Sequence, residues 1–260
     1  MSTRLSVCVI ARDEAENLAR CLDSAAFADE IIVVVDERSC DETEAIARKR
    51  ATTVERRRYE GDIEQKRYCV ELAGNDWILI VDPDEVITQA LAESIRGELE
   101  AVPRDVSAFS ANRVTYHMGR WIRHGDFYPD WKERLFRRSR SRFAGRNPHG
   151  RVEVEGEIVR ISGEIEHYSY RDLADQIERV QSFSTQAADA LFLEGRPARW
   201  RDLTLRPPAR FVRAYMLKQG FRDGVPGFVI AAVTGFYVFL KYAKLWERER
   251  RPGSRPTGSK

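Results

Sequence analysis

The chain has 260 residues, 43% of them hydrophobic, so it can bury a core of ordinary size, and its length suits one catalytic domain with an appended segment. The formal net charge of +2 conceals an asymmetry, because residues 196–260 carry fifteen Lys and Arg against four Asp and Glu. The remaining residues are therefore net acidic, and we expect the acidic body and the basic end to meet different partners.

The cysteines and the N-terminal residues indicate a reducing compartment. Cys8, Cys21, Cys40 and Cys69 fall at no metal-ligand spacing, and all lie in the first third of the chain, which does not match the framework of a small disulfide-rich domain. The apolar stretch Leu5–Ala11 is too short for the core of a secretory signal and runs directly into charged residues. We expect a cytoplasmic protein.

The first third of the chain predicts alternating strands and helices. Short apolar runs, typical of strands buried on both faces of a parallel sheet, occur at Leu5–Ala11, Ile31–Val35 and Trp77–Val81. Helices are expected between and after them, at Glu14–Ala26, Asp41–Arg50 and Ile63–Leu72. This order predicts an α/β fold with a Rossmann-like sheet.

The pattern becomes mixed from about Val102 onward. Half-exposed antiparallel strands are expected at Phe109–Tyr116 and Arg151–Ile165, with a loop-like segment rich in Arg and aromatic residues between them. Helices follow at Arg171–Leu193 and, after a break at Pro207-Pro208, at Phe211–Gln219. The tail 251–260 is expected to be disordered.

Acidic residues follow each predicted strand of the first third, at the edge where parallel sheets bind ligands. The sequence Asp82-Pro83-Asp84 places two carboxylates after a buried strand, and such carboxylates can bind a hard divalent cation that bridges a diphosphate. The alternative is that the tripeptide is only a turn, because Asp-Pro commonly starts one.

Nine blocks of the chain resemble, in order, glycosyltransferase family 2, and within it the lipopolysaccharide core glycosyltransferases that add a sugar, often glucose, to inner-core heptose. The blocks are Arg12-Asp13-Glu14 with Asn17-Leu18, Glu30–Asp36, Ser39–Thr43, Gln65-Lys66-Arg67, Asp76–Leu79, Asp82–Glu85, Tyr128–Trp131 with Arg134–Arg138, His167–Tyr170 and Gly220–Gly224. The chain departs from the family's usual pattern at Glu37-Arg38, where small residues are typical, and at Pro83, where Ala is commoner.

The resemblance implies a GT-A type nucleotide-diphospho-sugar transferase fold over residues 1–170. Residues 1–101 would form the nucleotide-sugar half and 102–170 the acceptor half, followed by a helical, membrane-associating extension at 171–250. A UDP-sugar donor and Mg²⁺ or Mn²⁺ are implied, with Asp36 at the uridine, Asp82 at the ribose or a metal-bound water, and Asp84 on the metal. The remaining donor-binding positions would be Ala11, Asp13, Glu14, Gln65, Lys66 and Arg67.

An inverting transfer needs a general base for the acceptor hydroxyl, and the candidates are Asp130 and Glu133. Asp130 lies in the block that matches the family, so we favour it. Either carboxylate could instead simply pair with the neighbouring arginines.

Two histidines, His149 and His167, fall at predicted element ends. In glycosyltransferases of this fold a late histidine can complete the metal shell, and we assign that role to His167. The alternative is a packed, hydrogen-bonded side chain. His149 is placed with the acceptor site.

A basic stretch follows the candidate bases, with six arginines between 134 and 146 interleaved with two phenylalanines. Three interpretations stay open: a nucleic-acid surface, a solvated charged loop, or a site for an anionic saccharide acceptor. We favour the acceptor and expect no nucleic-acid partner. The acceptor-binding residues would be Trp131, Arg134, Arg137, Arg138 and His149.

The uncharged, aromatic-rich stretch Gly224–Leu240 is followed by Lys241, Lys244 and a run of arginines. At 17 residues it is at the lower limit for spanning a bilayer, so an interfacial helix fits better. The alternative is a helix buried against the catalytic domain or a second subunit.

The sequence therefore predicts an inverting, metal-dependent hexosyltransferase that uses a UDP-sugar on a lipid-linked or lipopolysaccharide-core acceptor, peripheral on the inner face of the cytoplasmic membrane. The second hypothesis is a sugar nucleotidyltransferase, although Arg12-Asp13-Glu14 lacks the Gly-rich, basic character of a loop that binds a triphosphate. The third hypothesis is a catalytically inactive, membrane-associated binding protein of the same fold.

Overall fold

The structure is a computed structural model that describes residues 3–146 and 149–251, without the side chains of residues 146, 149 and 150. The chain forms two compact units. The first comprises residues up to 114 and 130–167, and the second comprises 115–129 and the residues from 168 onward. The functional boundaries expected at 101 and 170 stay predictions.

A mixed sheet forms the centre of the first unit. Its strands lie in the order β3-β2-β1-β4-β8-β6-β11-β5. Their bounds are β1 Leu5–Ala11, β2 Glu30–Asp36, β3 Thr53–Arg57, β4 Trp77–Ile80, β5 Glu85–Ile87, β6 Val106–His117, β8 Trp131–Arg137 and β11 Glu157–His167. A separate hairpin consists of β9 Ser141–Arg146 and β10 His149–Val154.

The N-terminal strands are parallel, as their continuous apolar sequences predict. Strand β1 lies between β2 and β4, with Val7 opposite Ile31 and Leu79 in register. The sheet turns antiparallel at β8, which pairs with β4 through Leu135 and Leu79. The carboxyl end of β4 and the amino-terminal half of β8 therefore meet at the same edge.

Helices cover both faces of the parallel strands, which explains why these strands lack a polar face. One face packs against helices α1 Ala15–Ser24, α2 Thr43–Arg50 and α4 Gln89–Glu100. The other face packs against α3 Asp62–Glu71 and the β9–β10 hairpin. Alternate side chains divide accordingly, because Val7 and Val9 join the first core cluster and Cys8 joins the second.

The sequence prediction was wrong for the segment between Tyr116 and Arg151. It is not loop-like, because β8 is an interior strand of the sheet. Only Leu135 and Phe136 of this strand are fully buried. The charged residues around them hide the alternation of apolar and polar residues by which a strand is recognised in a sequence. The expected strand Arg151–Ile165 is two strands, β10 and β11, and β6 is almost wholly buried rather than half-exposed.

The second unit is mainly helical. Strand β7 Arg120–Ile122 pairs with residues 115–117 of β6, and the helices are α5 Leu173–Leu193, α6 Trp200–Thr204, α7 Arg206–Val212 and α8 Gly224–Arg250. A π-helical turn, Arg213–Leu217, continues α7. Asp126 is buried and pairs with Arg210 and Lys218 at 3.0 Å each, which ties the 115–129 segment to the helices.

Two expectations for these helices need correction. The break between helices falls at Leu205, and α7 begins at Arg206 rather than at Phe211, because Pro207 and Pro208 occupy its first turn, where a missing N–H costs nothing. Helix α8 has 27 residues and continues ten residues beyond Leu240. Within the described ranges, one stretch, Gly220–Arg250, is long and apolar enough to cross a membrane, and 28% of its most apolar window is buried.

Candidate active site

Asp82 lies directly after β4 and is held between two basic side chains. Lys66 Nζ on α3 lies 3.0 Å from Asp82 Oδ1, and the Arg134 guanidinium on β8 donates to Asp82 Oδ2. The sheet topology explains the meeting, because β8 is the antiparallel neighbour of β4. The aspartate is thus part of an ion-pair network at the strand edge.

The buried carboxylate of Glu85 holds the network together. Glu85 Oε1 accepts from Arg134 at 2.7 Å and from Arg113 at 3.0 Å, and its side chain is 0% exposed. Glu85 Oε2 also accepts from the Asp82 backbone N–H at 3.0 Å. One buried glutamate therefore fixes two arginines and the backbone of the loop that carries Asp82.

The two ion pairs set the charge state of Asp82. Burial raises the pKa of Asp82, but the charges of Arg134 and Lys66 outweigh burial and hold the pKa well below its ordinary value. The reverse holds for Arg134, because burial lowers its pKa while Asp82 and Glu85 raise it above the ordinary value. Asp82 is therefore a carboxylate at any physiological pH.

A cleft of about 350 Å³ opens above this network. Five basic and three acidic side chains line it, so its charge favours an anionic ligand. The charged lining residues are Lys66, Arg113, Lys132, Arg134, Arg151, Asp62, Asp82 and Glu133. Trp131 also lines the cleft, and its ring lies 4.6 Å from the Arg160 guanidinium carbon.

Asp84 points to a different partner from Asp82. Its Oδ2 lies 3.3 Å from His167 Nε2 at the end of β11. Two ligands at adjacent positions of an octahedral metal, each at about 2.1 Å, are separated by about 3 Å, so this pair has the spacing of ligands that share one cation. No group of three or more His, Cys, Asp or Glu side chains is arranged to hold a metal within the described residues. The spacing of Asp84 and His167 is therefore compatible with two ligands of one cation, and equally with an ion pair between the two side chains.

Asp36, at the end of β2, is 2% exposed and is paired with Arg38. The Arg38 Nε and Nη2 atoms donate to its two oxygens at 3.2 and 2.8 Å. The Arg38 hydrogen bond is the main reason that the pKa of Asp36 lies below its ordinary value, although burial opposes it. Asp36 does not line the cleft that contains Asp82.

The segment after β1 contacts the segment after β2. Asp13 Oδ1 accepts from the Cys40 backbone N–H at 2.9 Å, and Thr43 Oγ1 accepts from the Glu14 backbone N–H at 2.8 Å. Ala11 is the buried last residue of β1. These predicted donor-binding residues lie together at the carboxyl edge of the parallel strands.

The two candidate bases have different surroundings. Asp130 Oδ2 accepts from Arg113 at 2.8 and 3.0 Å, and its Oδ1 lies 3.0 Å from Lys132 Nζ. Glu133 is exposed and lines the cleft. Both carboxylates belong to the β8 edge, with Asp130 directly before the strand and Glu133 within it.

Several predicted site residues lie outside the cleft. Gln65 is buried, and its Nε2 donates to the Arg57 carbonyl at 3.4 Å, whereas Arg67 lines a separate apolar pocket. Arg137 stacks on the Trp77 ring at 4.8 Å, and Arg138 donates to the Ala73 carbonyl at 2.6 Å, so both stabilise the strand packing. The side chain of His149 lies outside the described part of the chain.

Sequence reasoning missed two members of the network. Glu85 follows Asp84 within the matched block, so its position was visible but its burial was not. Arg113 lies in β6, far from any motif, and only the sheet brings it between Glu85 and Asp130. The available signal was a charged residue within a strand whose other residues are uncharged up to Tyr116.

Comparison with known proteins finds relatives that match almost the whole chain. The chain is 29% identical over 251 residues to the lipopolysaccharide core biosynthesis glycosyltransferase LpsC of Rhizobium meliloti, covering 94% of this chain and 92% of that protein. It is 26% identical to an uncharacterized glycosyltransferase of Rickettsia conorii, covering 95% of this chain and 91% of that protein.

A solved structure shows the fold. The mannosyltransferase PcManGT of Pyrobaculum calidifontis, in complex with GDP-Man and Mn²⁺, superposes with a TM-score of 0.53 at 15% identity, covering 95% of this chain and 88% of that one. The predicted GT-A type fold is thereby confirmed. Residues 6–154 match the glycosyl transferase family 2 model, which is more than half of the chain. The chain therefore belongs to glycosyl transferase family 2.

Proposed function

We propose that this family 2 glycosyltransferase is a metal-dependent, inverting enzyme that transfers glucose from UDP-glucose to a lipopolysaccharide-core or related glycolipid acceptor. The observation that carries the proposal is the cleft beside Asp82, where basic side chains outnumber acidic ones at the carboxyl edge of the sheet. The name of LpsC supports the class of acceptor, and the resemblance to inner-core glucosyltransferases supports the sugar.

The donor would lie across the strand edge. Asp36 and the 11–14 segment would hold the uridine, and Lys66 and Arg134 would contact the diphosphate, since both aim at the cleft. Asp84 and His167 would hold Mg²⁺ or Mn²⁺, which supplies positive charge to the departing diphosphate when bound. Asp82, which already pairs with Lys66 and Arg134, would orient these two side chains toward the diphosphate.

In the reaction the acceptor hydroxyl oxygen attacks the anomeric carbon, the bond from that carbon to the diphosphate oxygen breaks, and UDP leaves with the bonding electrons. The hydroxyl proton passes to a carboxylate on the β8 edge. We assign this role to Asp130, because its contacts with Arg113 and Lys132 fix the position of its carboxylate. Attack opposite the diphosphate inverts the anomeric configuration.

The acceptor class implies a membrane location. A lipid-linked saccharide is presented at a bilayer surface, and the basic, apolar C-terminal unit is suited to such a surface. We therefore place the enzyme on the inner face of the cytoplasmic membrane as a peripheral protein.

The test is transfer from labelled UDP-glucose to detergent-solubilised glycolipid in the presence of Mn²⁺. The wild type should release UDP and form a product with an inverted anomeric centre by NMR. Asp130→Asn should lower kcat by at least about a hundredfold, whereas the matched change Glu133→Gln should leave it within about threefold. The opposite ranking would move the base to Glu133. Pyrophosphate release from a sugar 1-phosphate and UTP would instead favour the nucleotidyltransferase.

Metal binding has its own readout. In the presence of UDP, Mn²⁺ should bind to the wild type with an electron paramagnetic resonance signal that differs from that of aqueous Mn²⁺. Asp84→Asn and His167→Ala should each weaken Mn²⁺ binding, by about tenfold or more. Glu133→Gln is the control. Equal Mn²⁺ affinity in all four proteins would refute the assigned ligands without reference to catalysis.

A further inference from the structure

An exposed apolar stripe runs along α7 and the π-helical turn that follows it. Its members recur every three or four residues and therefore lie on one helix face. They are Leu205, Pro208, Ala209, Val212 and Met216, all exposed. Trp200 and Leu217, at the two ends, are 72% and 76% exposed.

A second exposed apolar stripe runs along α8. Its members again recur at helical spacing and are Val225, Phe228, Ala232, Phe236 and Phe239. The opposite face of α8 is buried, with Gly235 against the Pro207 carbonyl and Leu245 in the core shared with Ala188 of α5. Helix α8 therefore carries apolar side chains on two faces, one packed inside its own unit and one exposed.

An aromatic cluster joins α8 to α7 and to the π-helical turn beside the two stripes. The Tyr215 ring centroid lies 5.5 Å from that of Phe211 on α7 and 5.6 Å from that of Phe228 on α8. Phe221 joins the cluster at 6.3 Å. The cluster packs the helix that carries the second stripe against the segment that carries the first, so the two exposed stripes lie on neighbouring helices. Exposed apolar surface of this extent is of the kind that marks an interaction site.

The charge beside this surface identifies the partner. Residues 194–222 contain eight basic and two acidic residues. Some of these cations are already used inside the unit, such as Arg210 with Asp126. Arg201 and Arg213, however, are exposed and make no ion pair within the described residues. Apolar side chains bordered by unpaired arginines complement a bilayer surface that carries anionic headgroups.

We propose that the two stripes dock the enzyme onto an anionic phospholipid surface, with α7 and α8 lying along the bilayer rather than across it. A single spanning helix would be surrounded by lipid, but α8 packs against both α5 and α7. The inference deepens the membrane contact of the proposed function and rests on it for the identity of the partner. It assigns that contact to α7 and the first half of α8.

The experiment is flotation of the full-length protein with vesicles of phosphatidylcholine, with and without phosphatidylglycerol. Val212→Glu combined with Met216→Glu should lower the partition coefficient by about tenfold or more, since it places two charges in the docking face. Ile158→Glu, at an exposed apolar position of β11, is the matched control and should have no effect. Unchanged thermal unfolding in both variants shows that the fold is intact.

A second pair of changes separates the two parts of the contact. Arg201→Gln with Arg213→Gln should lower binding to anionic vesicles by about tenfold or more and leave binding to neutral vesicles unchanged. Equal flotation of wild type and both double variants would overturn the proposal. So would a wild-type dimer that becomes a monomer in Val212→Glu/Met216→Glu, because the surface would then bind a second copy.

Failure of this inference is distinguishable from failure of the proposed function. Binding of UDP is measured by calorimetry in solution on the same variants and should not change. Loss of flotation with normal UDP binding supports the docking surface alone. Wild-type protein that floats but binds no UDP leaves the surface in place and rejects the donor assignment.

Discussion

Replacement of Glu85 by Gln should destabilise the protein more than any other single change of a carboxylate to its amide near the cleft. The Glu85 side chain is fully buried and accepts from Arg113, Arg134 and the Asp82 backbone N–H. Glutamine keeps the size and one oxygen acceptor, but it removes the negative charge that compensates two guanidinium groups. Its amide nitrogen also presents a donor, either to both guanidinium groups or to the Asp82 backbone N–H, depending on which oxygen it replaces.

The magnitude follows from the partners that remain. Loss of one member of a buried ion pair typically costs about 3–5 kcal/mol, because an uncompensated charge stays buried. Arg113 keeps Asp130 and Arg134 keeps Asp82, so we expect the lower end, about 3 kcal/mol. For a chain of this size such a loss lowers Tm by about 6–12 °C.

The assay is thermal unfolding followed by circular dichroism, with Glu133→Gln as the matched control. Glu133 is exposed, so its amide should change Tm by no more than about 2 °C. Calorimetry with UDP and Mn²⁺ should also show weaker donor binding in Glu85→Gln, because the Asp82 backbone loses its carboxylate anchor. Two variants with the same Tm would refute the central role of Glu85.

Two further predictions concern parts of the fold outside the cleft. Burial lowers the pKa of His117, against its hydrogen bond to Gln176, so protonation is disfavoured in the folded state. The free energy of unfolding should therefore fall as the pH drops below about 6.5, and it should fall less in His117→Gln. Denaturant unfolding at several pH values measures both, and equal pH dependence in the two proteins would contradict this prediction. Gly163 has φ +93°, and a Cβ there would lie 2.5 Å from the Leu91 backbone, so Gly163→Ala should cost about 2–4 kcal/mol. Gly97→Ala, in α4 with open space around it, should instead stabilise by about 0.5–1 kcal/mol, and a loss at this control position would show that the packing argument is wrong.

The site could be predicted in part, because its chemistry follows strands that are easily recognised. Asp36, Asp82 and Asp84 come directly after buried apolar runs, and parallel strands end at one edge of a sheet. Their partners were not predictable in the same way. The pairing of Asp82 with Lys66 and Arg134, and of Asp36 with Arg38, depends on distances that only the packed sheet sets.

The sequence by itself determined the α/β class, the parallel strands β1, β2 and β4 and the strand-edge carboxylates, because continuous apolar runs and the turns that follow them are local properties. Tertiary structure alone decided that the Arg-rich segment after Asp130 is an interior strand, since its neighbours β4 and β6 supply the hydrogen bonds that its charged sequence conceals. It also decided that Arg134 and Arg113 converge on Glu85, a contact between side chains distant in sequence that forms only when three strands and a loop pack together. The local pattern of apolar and polar residues indicates which face of a helix or strand is buried, whereas the partners of a buried charge lie on chain segments that meet only after folding.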